Sequence, residues 1–307
     1  MKFISFRAGD GRESVGALVG DTVLDLGGTV PSGAGTSPLR RLLVAHGGSL
    51  PTTADSLAGA PQLSLGEVEL LPVVPDPGKV VAAPVNYHDH KVEMNQDAHV
   101  GALGVFLKAP TSVLAPSGTV RLPYTDRRFD QEGELALVIG REARNVAPDD
   151  VPDHVAGFTC LLDMTMRGGE DRSTRKSFDT FTPLGPHLVT PDEVGDLHAL
   201  RLRTWVNDEL RQDADVVDLI WDVPTLVAYA SSVMTLRPGD VVTTGTPAGV
   251  GQVHDGDTVA VEISRVGRLE VTVSAEHAVA CPTTGAERGP RPPAVVTPVR
   301  QRGRASP

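Results

Sequence analysis

Short runs of Val, Ile, Leu and Thr recur along this chain, each closed by Gly, Pro or Asp, and they predict strands more often than helices. Over residues 1–26, turns at Gly9-Asp10-Gly11 and Gly20-Asp21 divide such runs into a small β-rich opening. A Gly/Pro/Ser stretch follows over 27–38, and then a helix is expected around 39–46. Three prolines within 70–77 read as a linker, which gives a small N-terminal domain over 1–75 and a second unit over 79–280. In that second unit the pattern predicts strands over 79–83, 134–139, 200–206, 240–244 and 258–263. Turns are expected at Arg237-Pro-Gly-Asp240 and His254-Asp-Gly-Asp257. Helices are fewer, the clearest over 223–234. The pattern is that of an α+β protein; a doubly wound α/β sheet would need repeated strand–helix alternation.

From Cys281 to Pro307, six prolines and five arginines stand beside a single acid, Glu287. Such a segment cannot bury enough apolar surface to offset its ordering, so a disordered tail is expected over 281–307.

Composition narrows the function classes. A length of 307 residues, 40% of them hydrophobic and 22% charged, fits an ordinary globular protein of one or two domains. A net charge of −11 argues against a nucleic-acid reader, which needs clustered Lys and Arg. Cys160 and Cys281 lie far apart and form no redox or metal motif, so a cytoplasmic setting is expected. Residues 1–20 do not read as a signal peptide, and no apolar run is long enough to span a bilayer.

Five stretches carry chemistry. Glu132-Gly133-Glu134 opens an apolar strand, in which residues two apart share a face. Two carboxylates so close repel unless a cation sits between them, and a hard divalent ion would serve; a solvated acidic edge is the alternative. Asp163 follows an apolar run and could complete three oxygen ligands, or simply cap a turn. Within Asn86–Glu93, helical spacing would put His90 and Glu93 on one face, where the carboxylate could orient the imidazole toward a water. A polar surface helix explains the same letters. Lys176 could stabilise an oxyanion beside the metal, or lie on the surface. Glycines over 245–251 let backbone N–H groups approach an anion, with Thr246 adding a hydroxyl; a plain turn is the alternative.

In order, the stretches N-Y-x-D-H-x-x-E (86–93), F-L-K (106–108), E-G-E-L-A-L-V-I-G (132–140), K-S-F-D-T-F-T-P-L-G-P (176–186) and P-G-D-V-V-T-T-G-T-P-A-G-V-G (238–251) resemble the fumarylacetoacetate hydrolase superfamily. The resemblance spans roughly 79–275. It implies a mixed β-roll catalytic domain, a homodimer, and Mg²⁺ or Mn²⁺ held by Glu132, Glu134 and Asp163. It further implies an active-site Lys176, a water-activating pair His90 and Glu93 on a lid, and substrate contacts from Arg167 and Thr246. Thr180 matches a threonine near the metal shell. Ala83 replaces a fourth metal carboxylate, Glu170 replaces a glutamine, and the link from there to Lys176 is short, so the chain resembles the three-carboxylate bacterial branch.

The expected activity is metal-dependent hydrolysis of a C–C bond in a small 2-oxo acid through an enolate. Decarboxylation of an oxaloacetate-like acid or isomerisation of a hydroxymuconate-like acid would share that enolate. A non-catalytic binding protein of the same fold, or a metal-free hydrolase using Asp and His, fits the complete constellation less well. Neither nucleic acid nor membrane is expected as a partner.

Overall fold

The computed structural model describes residues 1–33, 35–53 and 57–285. Among these residues three sheets dominate, and the longest helix, Val223–Val233, has 11 residues. This is the α+β arrangement expected, with mixed pairing: Val241–Thr243 runs parallel to Val80–Ala82 and antiparallel to Gly133–Ile139. No helix is long and apolar enough to cross a membrane among the described residues.

The largest sheet has 12 strands. At its centre Gly133–Ile139 lies between Val155–Leu162 and Val241–Thr243, and every residue of it is buried. A strand covered on both faces reads as an unbroken apolar run, which is why Leu-Ala-Leu-Val-Ile was legible. The opening strands continue this same sheet. Lys2–Arg7 pairs antiparallel with Thr182–Val189, and Phe3, Leu42 and Leu43 share a core with Ala136, Leu161 and Leu188. Backbone hydrogen bonds and core packing therefore cross the boundary expected between 75 and 79.

A second sheet of five strands packs behind the first, and its Glu209–Asp215 strand is bulged. Thr204 faces Gln212 while Trp205 faces Leu210, so Arg211 is the extra residue. The bulge leaves Gln212 fully buried although its neighbours are charged. A small third sheet joins Thr165–Arg167, Arg128–Gln131 and Gly251–Gln252.

The tail expected to be disordered from Cys281 begins in contact with the body. The Cys281 N–H donates to Asp126 Oδ1 at 2.8 Å and the Thr283 hydroxyl to Glu170 Oε1 at 2.9 Å. Polar bonds rather than apolar burial hold 281–285; the rest of the expected tail, 286–307, lies outside the described residues.

Candidate metal centre

Strand register brings the acids together. Gly133 lies opposite Leu162 and Glu134 opposite Leu161, so Glu132 and Asp163 meet just beyond the paired ends. There the Asp163 N–H donates to the Glu132 carbonyl at 2.8 Å. Glu132, Glu134 and Asp163 are all buried, and each offers an oxygen within 4.8 Å of the others. The residue between the glutamates must be small: a Cβ at Gly133 would come within 2.1 Å of Thr204 Oγ1. That peptide is braced from behind, its N–H donating to Gln212 Oε1 at 2.8 Å and its carbonyl accepting from the Thr246 hydroxyl at 2.9 Å.

Three buried carboxylates need positive charge. Lys176 Nζ donates to Glu132 Oε2 and Thr165 Oγ1, each at 2.7 Å, and to Asp163 Oδ2. Lys108 Nζ donates to Asp163 Oδ1 and to the Phe181 carbonyl at 2.9 Å. Arg167 bridges Asp130 Oδ2 at 2.7 Å and Glu132 Oε1 at 2.8 Å. Burial alone would raise the Glu132 carboxyl, but Lys176, Arg167 and His90 outweigh it and hold the group well below the usual range. Glu134 differs. It accepts from the Thr243 hydroxyl and from the Gly245 N–H at 3.0 Å, and no ion pair reaches it among the described residues. Burial, with Asp163 alongside, pushes its carboxyl up to about 8. The lysines satisfy two of the acids and leave Glu134 short of positive charge. A buried, all-oxygen donor set with one carboxylate unanswered fits a hard divalent cation.

Across the cavity, the helix His88–Glu93 carries the predicted pair. His90 Nδ1 lies 3.1 Å from Glu93 Oε2, and Glu93 Oε1 accepts from the Gly249 N–H at 2.8 Å. With Nδ1–H turned to the carboxylate, Nε2 is left with its lone pair. His90, the three acids, Arg167, Lys176 and Thr246 all line one cavity.

Some residues do other work than their place in the sequence suggested. All three Lys176 donors are taken, so its charge rather than a free N–H faces the cavity. Arg167 holds Glu132 as well as lining the wall. The Thr246 hydroxyl sits between the Gly133 carbonyl and Gln212 Nε2. Thr180 is not in the metal shell: its hydroxyl accepts from the Arg121 N–H at 2.9 Å, and Thr165 stands beside Lys176 instead. Glu170 turns to Thr283 rather than lining the cavity. Lys108 had no role in the sequence reading beyond closing the F-L-K stretch, because the fold alone brings it to Asp163. Burial depresses its ammonium despite Asp163.

Comparison with known proteins matches residues 79–274 to the family described as fumarylacetoacetate (FAA) hydrolase, C-terminal. The chain is 42% identical over 274 residues to a maleylpyruvate hydrolase of Aquipseudomonas alcaligenes, covering 84% of this chain and 96% of that one. It is 34% identical over 288 residues to a mitochondrial oxaloacetate tautomerase of Xenopus laevis, covering 88% and 89%. Among solved structures, a maleylpyruvate hydrolase from Sphingobium sp. SYK-6 in complex with manganese(II) and pyruvate superposes with a TM-score of 0.75 at 37% identity, covering 92% of this chain and all of that one. A 2-hydroxyhepta-2,4-diene-1,7-dioate isomerase from Mycobacterium marinum does so at 0.72 and 30%, covering 90% and 99%. The buried carboxylate triad faced by a histidine–glutamate pair thus lies in a chain that belongs to the fumarylacetoacetate hydrolase family.

Proposed function

We propose that this chain is a divalent-metal-dependent hydrolase that cleaves the C–C bond of an acylpyruvate, releasing pyruvate and the acyl group as a carboxylate. The observation that carries this reading is the His90–Glu93 pair in the same cavity as three buried carboxylates. Similarity to maleylpyruvate hydrolases supports it. A divalent ion, Mg²⁺ or Mn²⁺, held by Glu132, Glu134 and Asp163 would supply the Lewis acidity that stabilises a pyruvate enolate. The protein's own groups do the rest. Glu93 fixes the imidazole so that His90 Nε2 takes a proton from water, and the water oxygen adds to the acyl carbonyl carbon. The bond from that carbon to the pyruvyl methylene then breaks, and the proton on His90 passes to the methylene carbon. Lys176 contributes its charge close to the developing anion, while Arg167 keeps Glu132 in place. Thr246 shapes the wall on the substrate side.

We also propose a homodimer in the cytoplasm, acting in catabolism of 2-oxo acids; free Cys160 and Cys281 are consistent with a reducing compartment. Running the reaction in ¹⁸O-water tests the reaction class, after correction for label exchanged through the ketones. Label in the acyl product's carboxylate is expected. A single unlabelled isomer of the substrate would overturn hydrolysis in favour of tautomerisation.

A further inference from the structure

Residues 279–285 run as a strap over the loop that leads from Arg167 to Arg172. The Val279 N–H donates to the Pro123 carbonyl at 3.0 Å, and the Val279 carbonyl accepts from the Thr125 N–H at 2.9 Å. The Cys281 N–H then donates to Asp126 Oδ1, and Arg127 donates to the Thr283 carbonyl. From there the strap touches the loop itself. The Thr283 hydroxyl donates to Glu170 Oε1 at 2.9 Å, and a Cβ at Gly285 would come within 2.4 Å of the Gly168 carbonyl oxygen. Gly285 has a φ of +72°, a conformation and an approach that suit glycine.

The strap holds Glu170 in an unfavourable place. Its Oε2 is buried with no hydrogen-bond partner among the described residues, and it fills the space that a side chain on Gly168 would take: a Cβ there would come within 2.4 Å of it. Two residues on, Arg172 lines the metal cavity, and Arg175 lines it from the end of the same helical turn. Neither has an ion pair among the described residues, and Arg175 Nη1 is buried and unpartnered. An unanswered carboxylate oxygen and unanswered guanidinium groups on one loop and the turn after it would satisfy each other. They are nevertheless apart, because Glu170 is turned to Thr283 and does not line the cavity.

We propose that Thr283 is a positioning residue: by latching Glu170 to the strap it keeps that carboxylate off Arg172 and Arg175 and the cavity open to an anionic ligand. Unlatched, Glu170 competes with the ligand from inside the protein. The inference rests on the cavity binding a 2-oxo acid anion, whichever reaction follows. Two measurements test it: calorimetric titration of the Mn²⁺-loaded full-length protein with pyruvate, and phenylglyoxal labelling of Arg172 and Arg175 in the metal-free protein, located by mass spectrometry. Thr283→Val keeps the shape and removes the donor. It should weaken pyruvate binding on the order of fivefold, the worth of one hydrogen bond, and slow arginine labelling by a similar factor. In turnover it should raise KM and leave kcat unchanged. Thr283→Ser retains the hydroxyl and should match the wild type. Glu170→Gln removes the competing charge, so the double variant Thr283→Val/Glu170→Gln should recover both pyruvate affinity and labelling. Removing 281–307 should copy Thr283→Val and be rescued in the same way. Wild-type affinity and labelling in Thr283→Val would overturn the proposal. So would losses that Glu170→Gln fails to recover, which would make the strap a structural brace and no more. A wild type that does not bind pyruvate would remove the 2-oxo acid reading, and the labelling rates would still decide for or against the latch.

Discussion

The two walls of the cavity are built differently. The carboxylate wall grows from the ends of Gly133–Ile139 and Val155–Leu162, in a strand bonded on both edges and wholly buried. The facing wall is a six-residue helix, His88–Glu93, on which Val92 is 72% exposed and whose glutamate is tethered by one bond to Gly249. A core strand opens only when the sheet does, whereas a short surface helix can open locally at lower cost. On the proposed reading, ion binding and proton transfer rest on parts of different rigidity, and each should be breakable without the other.

The largest effect should come from the rigid wall. Chelation should abolish turnover and added Mg²⁺ or Mn²⁺ restore it, and Glu134→Gln should weaken ion binding by at least roughly tenfold. Full turnover by metal-stripped protein would sink the assignment. Next comes the helix. His90→Ala should lower kcat by roughly 10²–10⁴ while ion affinity, read by calorimetry, stays at the wild-type value. Glu93→Gln should cost no more, and the double variant no more than His90→Ala alone, because the pair acts as a unit.

A subtler mark of the rigid wall is its pH response. The Glu134 carboxyl lies at about 8 against an ordinary 4.5, so near neutrality the ion must displace a proton. Apparent ion affinity should rise about tenfold per pH unit up to about 8 and then level, with a proton released on binding at neutral pH. The sign for folding is opposite. Between about 4.5 and 8 the native metal-free protein holds a proton that the unfolded chain has lost, so its stability should fall as pH rises, and saturating metal should flatten that fall. A melting temperature of metal-free protein that climbs over this window would contradict the charge assignment. The smallest effect belongs to neither wall: removing 286–307 should leave melting temperature and turnover nearly unchanged, since its composition offers little to bury.

How far this architecture was legible depended on sequence distance. Glu132-Gly133-Glu134 and His90-x-x-Glu93 were readable because strand and helix periodicity place near neighbours on one face. Apolar runs at 134–139 and 258–263 announced their strands directly, and both formed. Thr182–Val189 was hidden because Pro183, Gly185 and Pro186 punctuate it, and its place follows from pairing with Lys2–Arg7, more than 170 residues away. Thr180 and Thr165 could not be told apart without knowing which one the fold turns toward Lys176. Lys108 and Gln212 matter through partners that only long-range packing reveals.

Gln212 lies outside the cavity, yet one amide joins Gly133 to the loop that carries Thr246. Its Oε1 accepts from Gly133, between the two glutamates, and its Nε2 donates to Thr246 at 2.7 Å and to the Pro247 carbonyl at 2.8 Å. The bulge at Arg211 aims it there, and a Cβ at Gly249 would come within 1.8 Å of the Arg211 carbonyl. Positions 211, 212 and 249 are thus epistatic. Glutamate at 212 would lose both donors, asparagine would fall short, and neither change is repaired unless the bulge and the glycine move with it. In a saturation scan, Gln212 should score among the cavity residues although it does not line the cavity, and tolerated variants there should appear only as linked changes.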